Sequence, residues 1–305
     1  MSVTKKSILF LIISNIIWGA GFPIYKWTLE ALNPFVFAFL RFFLAALIVL
    51  PFTYNNLKIA KKDIPALILV SVVSITLQIM FLFFGLKYSP SINAPIILSS
   101  GPIILIIASA FFLKDIVKPK MLTGTLVSLI GVLIVMFRPV INNMNHINLI
   151  LGNVLLFLSM LCGVAQYMML KKIMYDNRPL TIVFWSFIIG SLPLIVPILF
   201  FNPTGLQMLT NMNLQAVLGL LYATIFSSVV GYCFLYYGIK YIKASEIGIF
   251  SYVDPLATII IAVPLLSEKI TGLYLLGSFL VFLGIFIAEE RIHYHPIRKL
   301  LENEL

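Results

Sequence analysis

The sequence predicts an all-α integral membrane protein in which ten transmembrane helices form two inverted five-helix repeats. Apolar residues make up 61% of the 305 positions and charged ones 10%, and the mean hydropathy is +1.07. A soluble core of this length needs far less. Ten mostly apolar stretches, each near the roughly 20 residues that a spanning helix requires, lie between polar or Pro/Gly breaks. Finally, residues 85–133 can be written above 238–286 without a gap. Gly85, Lys87, Tyr88, Pro102, Leu113, Gly124 and Gly131 then fall on Gly238, Lys240, Tyr241, Pro255, Leu266, Gly277 and Gly284, and Asp115 falls on Glu268.

The first helix, residues 7–27, carries Asn15, Trp18 and Phe22 on one face. Lys5-Lys6 before an apolar run looks like a signal peptide, but no small-residue cleavage site follows, and Trp18, Lys26 and Trp27 suit a retained helix. The second, 34–53, starts at Pro34 and places Arg41 ~10 Å inside its outer end. The third, 64–86, has a polar stripe of Ser71, Ser74 and Gln78; the fourth, 91–113, holds Pro102; the fifth, 120–138, aligns Gly124, Ser128 and Gly131. In the second copy, 149–170 contains Gln166 and Tyr167, and 180–201 contains Trp185. Helix 214–238 repeats the stripe with Thr224, Ser227 and Gly231 and adds Tyr232 and Tyr236. Helix 244–266 holds Ser251, Tyr252, Asp254, Pro255 and Thr258, and 271–290 carries Gly277, Val281, Gly284 and Ala288. Runs such as Ile96 to Phe112 are too uniformly apolar for a barrel strand.

Five helices per copy, an odd number, turn the second copy upside down, the arrangement of many secondary transporters. The boundaries read as a first repeat over 1–138, a second over 149–290 and a tail over 291–305. The first two helices of each copy align at a different offset, where Gly19 meets Gly163 and Arg41 meets Trp185; the loop from Asn202 to Asn213 absorbs the change. With the N-terminus inside, the outer segments hold only Lys26, Lys87, Arg138 and Lys269 of the 21 Lys and Arg, and Arg41 lies within a span. This positive-inside bias places both termini in the cytoplasm and removes nucleic acid as the reason for a net charge of +10. Cys162 and Cys233 lie within helices as small apolar residues. His146, His293 and His295 sit in a loop and the tail, so no metal or other cofactor is expected. The glycine stripes of the fifth and tenth helices suit close packing, within one subunit or between two, which leaves monomer or homodimer open.

The chain resembles the drug/metabolite transporter superfamily and, within it, the ten-helix EamA-type permeases. The residues that carry the resemblance are Trp18-Gly19 with Phe22 and Lys26, Pro34 with Arg41, and the paired modules from Gly85 and Gly238. Each module has a proline, Pro102 or Pro255, an acidic residue at the helix end, Asp115 or Glu268, and a glycine-rich final helix. The resemblance implies two five-helix bundles around a central cavity, and movement of a small metabolite. It does not fix the substrate. Asp254 departs from the family, which commonly has an apolar or small residue there.

Polar groups at membrane depth need a partner, a wet cavity or a function. Asp254 lies ~15 Å deep. It reads either as a proton or substrate-cation site or as a structural carboxyl. Pro102 and Pro255 remove backbone donors in mid-helix and free the carbonyls of Leu98 and Ser251 for a ligand or a gate. Arg41 would clamp a carboxylate or phosphate, pair with Asp254, or anchor neighbouring carbonyls. The candidate substrate contacts are therefore Asn15, Trp18, Phe22, Arg41, Gln78, Gln166, Trp185, Tyr232, Tyr252 and Asp254, with Pro102 and Pro255 as gating positions. The reading is a secondary transporter of an amino acid, an amine or a similar small metabolite, working as an exporter by alternating access, with proton coupling through Asp254 as one option. No phosphate-binding G-x-x-x-x-G-K-[ST] loop occurs. The alternatives are a membrane-embedded lipid- or prenyl-modifying enzyme, for which no DxxD or HxxxD spacing appears within the spans, and a non-transporting receptor, for which no large loop is present.

Overall fold

The structure is a computed structural model and describes residues 3–104, 119–141, 147–201, 209–210, 212–242 and 248–288. Several expectations lie outside these residues: Asp115, the three histidines, the tail 291–305 and most of the loop 202–213.

Among the described residues the chain is helical, with no strand. The helices are α1 (Val3–Ala31), α2 (Pro34–Thr53), α3 (Lys61–Tyr88), α4 (Asn93–Ile104), α5 (Pro119–Ile141) and α6 (Ile147–Ile173). They continue with α7 (Pro179–Phe200), α8 (Leu214–Tyr241), α9 (Phe250–Leu266) and α10 (Gly272–Ala288). Six of them, α1, α2, α3, α6, α7 and α8, are long and apolar enough to cross a membrane, and the other four contain shorter apolar helices. The ends follow local chemistry. Asn33 accepts from the Phe35 amide beside Pro34 at the start of α2, and Asn213 accepts from the Ala216 amide at the start of α8. Each occupies an orphan donor of the first turn. α9 ends at Ser267, whose φ of 53° is left-handed.

Polarity runs inside out relative to a soluble fold. Leu44, Leu47, Ile130, Phe279 and Phe286 are exposed, whereas Ser14, Asn15, Ser71, Arg41 and Asp254 are buried. In lipid, exposed leucine and phenylalanine cost nothing and the polar groups must turn to the helical interior.

α5 packs along α10 and α2 along α7. α1 packs on α8 and α9, as α6 does on α3 and α4; α2 meets α8 as α7 meets α3. Exchanging the first five helices with the second five, in order, leaves this pattern unchanged. The exchange also pairs two departures from α-geometry, the π-helical turns Val72–Leu77 in α3 and Tyr222–Val230 in α8.

The two prolines read as mid-helix breaks do something different. Pro255 occupies the first turn of the α-helical part of α9, after the 3-10 turn Gly248–Val253. Pro102 likewise follows a turn at Ser99-Ser100 and stands at the second position of the resumed helix. In a first turn the missing N–H is one that the helix leaves unpaired anyway. The prolines restart helices at a built-in discontinuity instead of kinking continuous ones.

Candidate functional site

Six helices, α1, α2, α3, α6, α8 and α9, converge with the broken α4 on a cavity of about 120 Å³. A single water needs ~10–15 Å³ by the same measure, so the space suits a small organic molecule better than one ion. Of the residues singled out in the sequence, Asn15, Trp18, Phe22, Arg41, Gln78, Gln166, Tyr232, Asp254 and Pro102 line it. Gly101, the repeat counterpart of Asp254, lines the same cavity.

The stripe on α1 sets one wall. Trp18 donates its indole N–H to the Ser227 carbonyl at 2.9 Å, a carbonyl within the π-helical turn of α8. Its ring meets Tyr232 edge-on at 5.3 Å. Asn15 is tied to its own helix through Leu11 O at 2.7 Å. Gly19 lets α1 approach α9 at the decisive place: a Cβ there would stand 2.5 Å from the Asp254 carbonyl oxygen. The Thr258 hydroxyl closes the same contact by donating to Gly19 O at 2.7 Å and Asp254 O at 2.9 Å. Thr258 thereby serves the packing of α1 on α9.

Arg41 is almost fully enclosed, with 2% of its surface exposed. Nε donates to Ser228 Oγ at 2.8 Å. The guanidinium carbon lies 4.9, 4.8 and 5.7 Å from the ring centres of Tyr25, Phe42 and Phe83. Faces of aromatic rings favour a desolvated cation, and this box holds the side chain in place. Among the described residues Nη1 has no hydrogen-bond partner. Asp254 is 6% exposed, and its Oδ1 is also unpartnered. No ion pair joins Arg41 to Asp254 among the described residues, so the pairing expected between them is absent here. Ser228 and the aromatic box take that role for Arg41.

The remaining polar lining is only partly satisfied. Gln166 donates to Tyr236 Oη at 3.3 Å, while Gln78 Oε1 and Tyr25 Oη have no partner. A buried polar atom left unpaired costs about 1–3 kcal/mol. The accumulation of such atoms around one cavity, of both charge signs, is what a ligand with complementary groups would relieve.

Three candidates lie elsewhere. Trp185 donates its indole N–H to Leu57 O at 2.9 Å and anchors α7 to the chain after α2. Tyr252 sets its ring against Phe282 of α10 at 6.3 Å. Pro255 is buried in the first turn of α9 behind the cavity wall. Tyr252 and Pro255 each stand one position from a lining residue, and a shift of one residue turns a helical side chain by about 100°. Trp185 is the repeat counterpart of the lining Arg41 but faces a different neighbour.

Sequence reasoning overlooked two residues. Tyr25 continues the Trp18–Phe22 stripe at helical spacing and was legible there. Ser228 was not: its importance comes from an Arg 187 positions away, brought near by tertiary packing.

The EamA-like transporter family matches the chain twice, over residues 5–137 and 150–288. An uncharacterized transporter of Bacillus subtilis, YyaM, is 29% identical over 279 residues, covering 90% of each chain. A probable amino-acid metabolite efflux pump of Escherichia coli K12 is 26% identical over 294 residues, covering 93% of this chain and 95% of that one. A solved crystal structure superposes with a TM-score of 0.68 at 14% identity, over 95% of this chain and 99% of the other, which shows a shared fold.

Proposed function

The chain belongs to the EamA-like transporter family, and from that premise we propose that it is a secondary transporter exporting a small zwitterionic metabolite of the amino-acid type. The carrying observation is the pair of unpartnered opposite charges, Arg41 Nη1 and Asp254 Oδ1, on one aromatic-lined cavity. Arg41 receives the carboxylate and Asp254 the ammonium, while Trp18, Phe22 and Tyr232 contact the side chain. Neither charge compensates the other within the protein, so a ligand carrying both signs is bound better than one carrying either. The similarity to the E. coli protein named a probable amino-acid metabolite efflux pump supports the same class.

In this reading ten spans form two inverted repeats, 1–138 and 149–290, with both termini in the cytoplasm, and the halves rock about the cavity. The double family match and the exchange-symmetric helix contacts support it, as does the lysine asymmetry. α4, broken at Ser99-Ser100, and α9, whose α-helical part starts after the 3-10 turn Gly248–Val253, meet the cavity at Gly101-Pro102 and Asp254, much as discontinuous helices of transporters hold their substrates.

Uptake by proteoliposomes tests this directly. Neutral amino acids should be carried; their amines without carboxylate and their 2-oxo acids without ammonium should be carried poorly. Arg41→Gln should lose the amino acid while sparing the amine, and Asp254→Asn should lose it while sparing the oxo acid. A protein that moves none of the three classes is not this transporter. One whose selectivity is unmoved by both variants does not bind by two charges.

A further inference from the structure

The acidic residue after α9, one of the repeated sequence features, takes no part in the cavity. Glu268 Oε1 accepts from the Ser91 amide at 2.7 Å, from Ser91 Oγ at 2.9 Å and from Lys26 Nζ at 3.3 Å, and Oε2 accepts from the Ile92 amide at 3.0 Å. Its side chain keeps only 10% of its surface exposed, against 23% for Lys26. Tyr274, at the start of α10, adds a bond from its hydroxyl to Ile92 O at 3.3 Å. One carboxylate thus gathers the end of α1, the segment leading into α4 and the turn after α9.

These elements are three of the cavity walls. Lys26 lies just beyond Phe22 and Tyr25 on α1, and Ser91 and Ile92 lie two turns from Leu98 on α4. Leu266, the end of α9, is ~18 Å along the helix from Asp254. The knot therefore stands at one end of the cavity, on the face that the lysine distribution makes external. α1 and α9 already pack on each other along their lengths, whereas α4 makes few contacts with either. Three of its four bonds go to the chain ahead of α4, whose helix is broken a few residues later, at Ser99-Ser100.

We propose that Glu268 is the external gate latch of the transporter: the conformation described is closed on the Lys26 side, and opening requires the carboxylate to release Ser91, Ile92 and Lys26. The proposal rests on the transport reading for what passes the gate, but the latch itself can be measured without any substrate. The left-handed Ser267 immediately before Glu268 aims the carboxylate back across the helix ends.

The test uses the full-length protein with Cys162→Ser, Cys233→Ser and Leu98→Cys, the last placing a thiol on the cavity wall. Intact cells are treated with a membrane-impermeant maleimide, and purified samples are checked for monodispersity. Labelling of Leu98→Cys should be slow with Glu268 present and faster by about tenfold or more with Glu268→Ala, the shift expected from losing one charge-assisted hydrogen bond. Glu268→Gln, which keeps the shape and one acceptor, should fall between them and covers the case that the alanine variant does not fold. The swap Lys26→Glu with Glu268→Lys restores an ion pair but offers the two amides no acceptor, so labelling should stay fast. Unchanged labelling in both Glu268 variants would overturn the latch, and so would slow labelling in the swap, because the fastening would then not involve α4. Transport assays on the same proteins judge the substrate reading separately.

Discussion

Along the contact of α5 with α10, Gly131 approaches the backbone of Gly277, where a Cβ would stand 2.6 Å from the carbonyl oxygen, and Gly284 lies against Ser128 N and Gly124 O. Both copies bring glycine to the same contact. At the cavity the copies disagree: Gly101 stands where the second half has Asp254, and Arg41 lines the cavity while its counterpart Trp185 lies outside it. Packing between two helices in lipid depends on close backbone approach, which a two-fold arrangement can use twice. The proposed zwitterion site needs one group for the carboxylate and one for the ammonium in one place, and symmetry would supply two of each. Duplication is kept where the task is packing and lost where the task is recognition.

The hardest strain on this comparison is a side chain forced into the seam. Gly284→Leu must push two helices apart along their backbones, because the colliding atoms belong to the main chain and not to a flexible side chain. Overpacking typically costs about 1–3 kcal/mol, occasionally more, and this variant belongs at the upper end. A sharp fall in thermal midpoint and in the monodisperse fraction is expected. Wild-type stability would mean that the seam is not a close-packed contact.

Moving the charge between copies comes next. Asp254→Gly should reduce amino-acid transport by roughly tenfold to a hundredfold, the weight of one hydrogen bond to a charged group. Adding Gly101→Asp returns a carboxylate to the same cavity from the other half. If the halves are related as proposed, the double variant should transport better than Asp254→Gly alone. A double variant no better than the single one breaks the equivalence of the two positions.

A smaller effect is expected at Ser228, which bonds Arg41 Nε at 2.8 Å. Ser228→Ala leaves the guanidinium in its ring box without the hydrogen bond to Nε. The apparent KM for amino acid should rise about threefold to tenfold, within the range of a single polar contact, with kcat and the thermal midpoint nearly constant. A change in kcat with unchanged KM would remove Ser228 from substrate positioning.

Most helix positions were readable because lipid demands long apolar runs, and that demand leaves a plain trace in the sequence. Polar and aromatic residues spaced three or four apart, such as Asn15, Trp18 and Phe22, mark a cavity wall in the sequence. The misplaced candidates were hidden by rotation: Trp185 and Tyr252 have the chemistry of a site, but nothing in a single helix says which neighbour its aromatic face will meet. Pro102 and Pro255 misled because a proline looks the same at a kink and at a restarted helix. Only the turns before them separate the two.

Gly101→Ala should do least, and it probes the comparison most finely. Gly101 belongs both to the ungapped repeat alignment and to the cavity wall, and the atoms nearest its Cβ would be Met160 Cγ at 3.4 Å, Val164 Cγ2 at 3.7 Å and Met160 Sδ at 3.8 Å. These are side-chain atoms at ordinary contact distance, and methionine adapts readily. Alanine should therefore change stability by no more than about 0.5 kcal/mol, in contrast to Gly284, while narrowing the cavity enough to favour smaller amino acids over larger ones in competition assays. A large loss of stability would show that position 101 is kept small for packing. Its difference from Asp254 would then follow from the demands of helix contact, and the division between a symmetric seam and an asymmetric site would have to be drawn elsewhere.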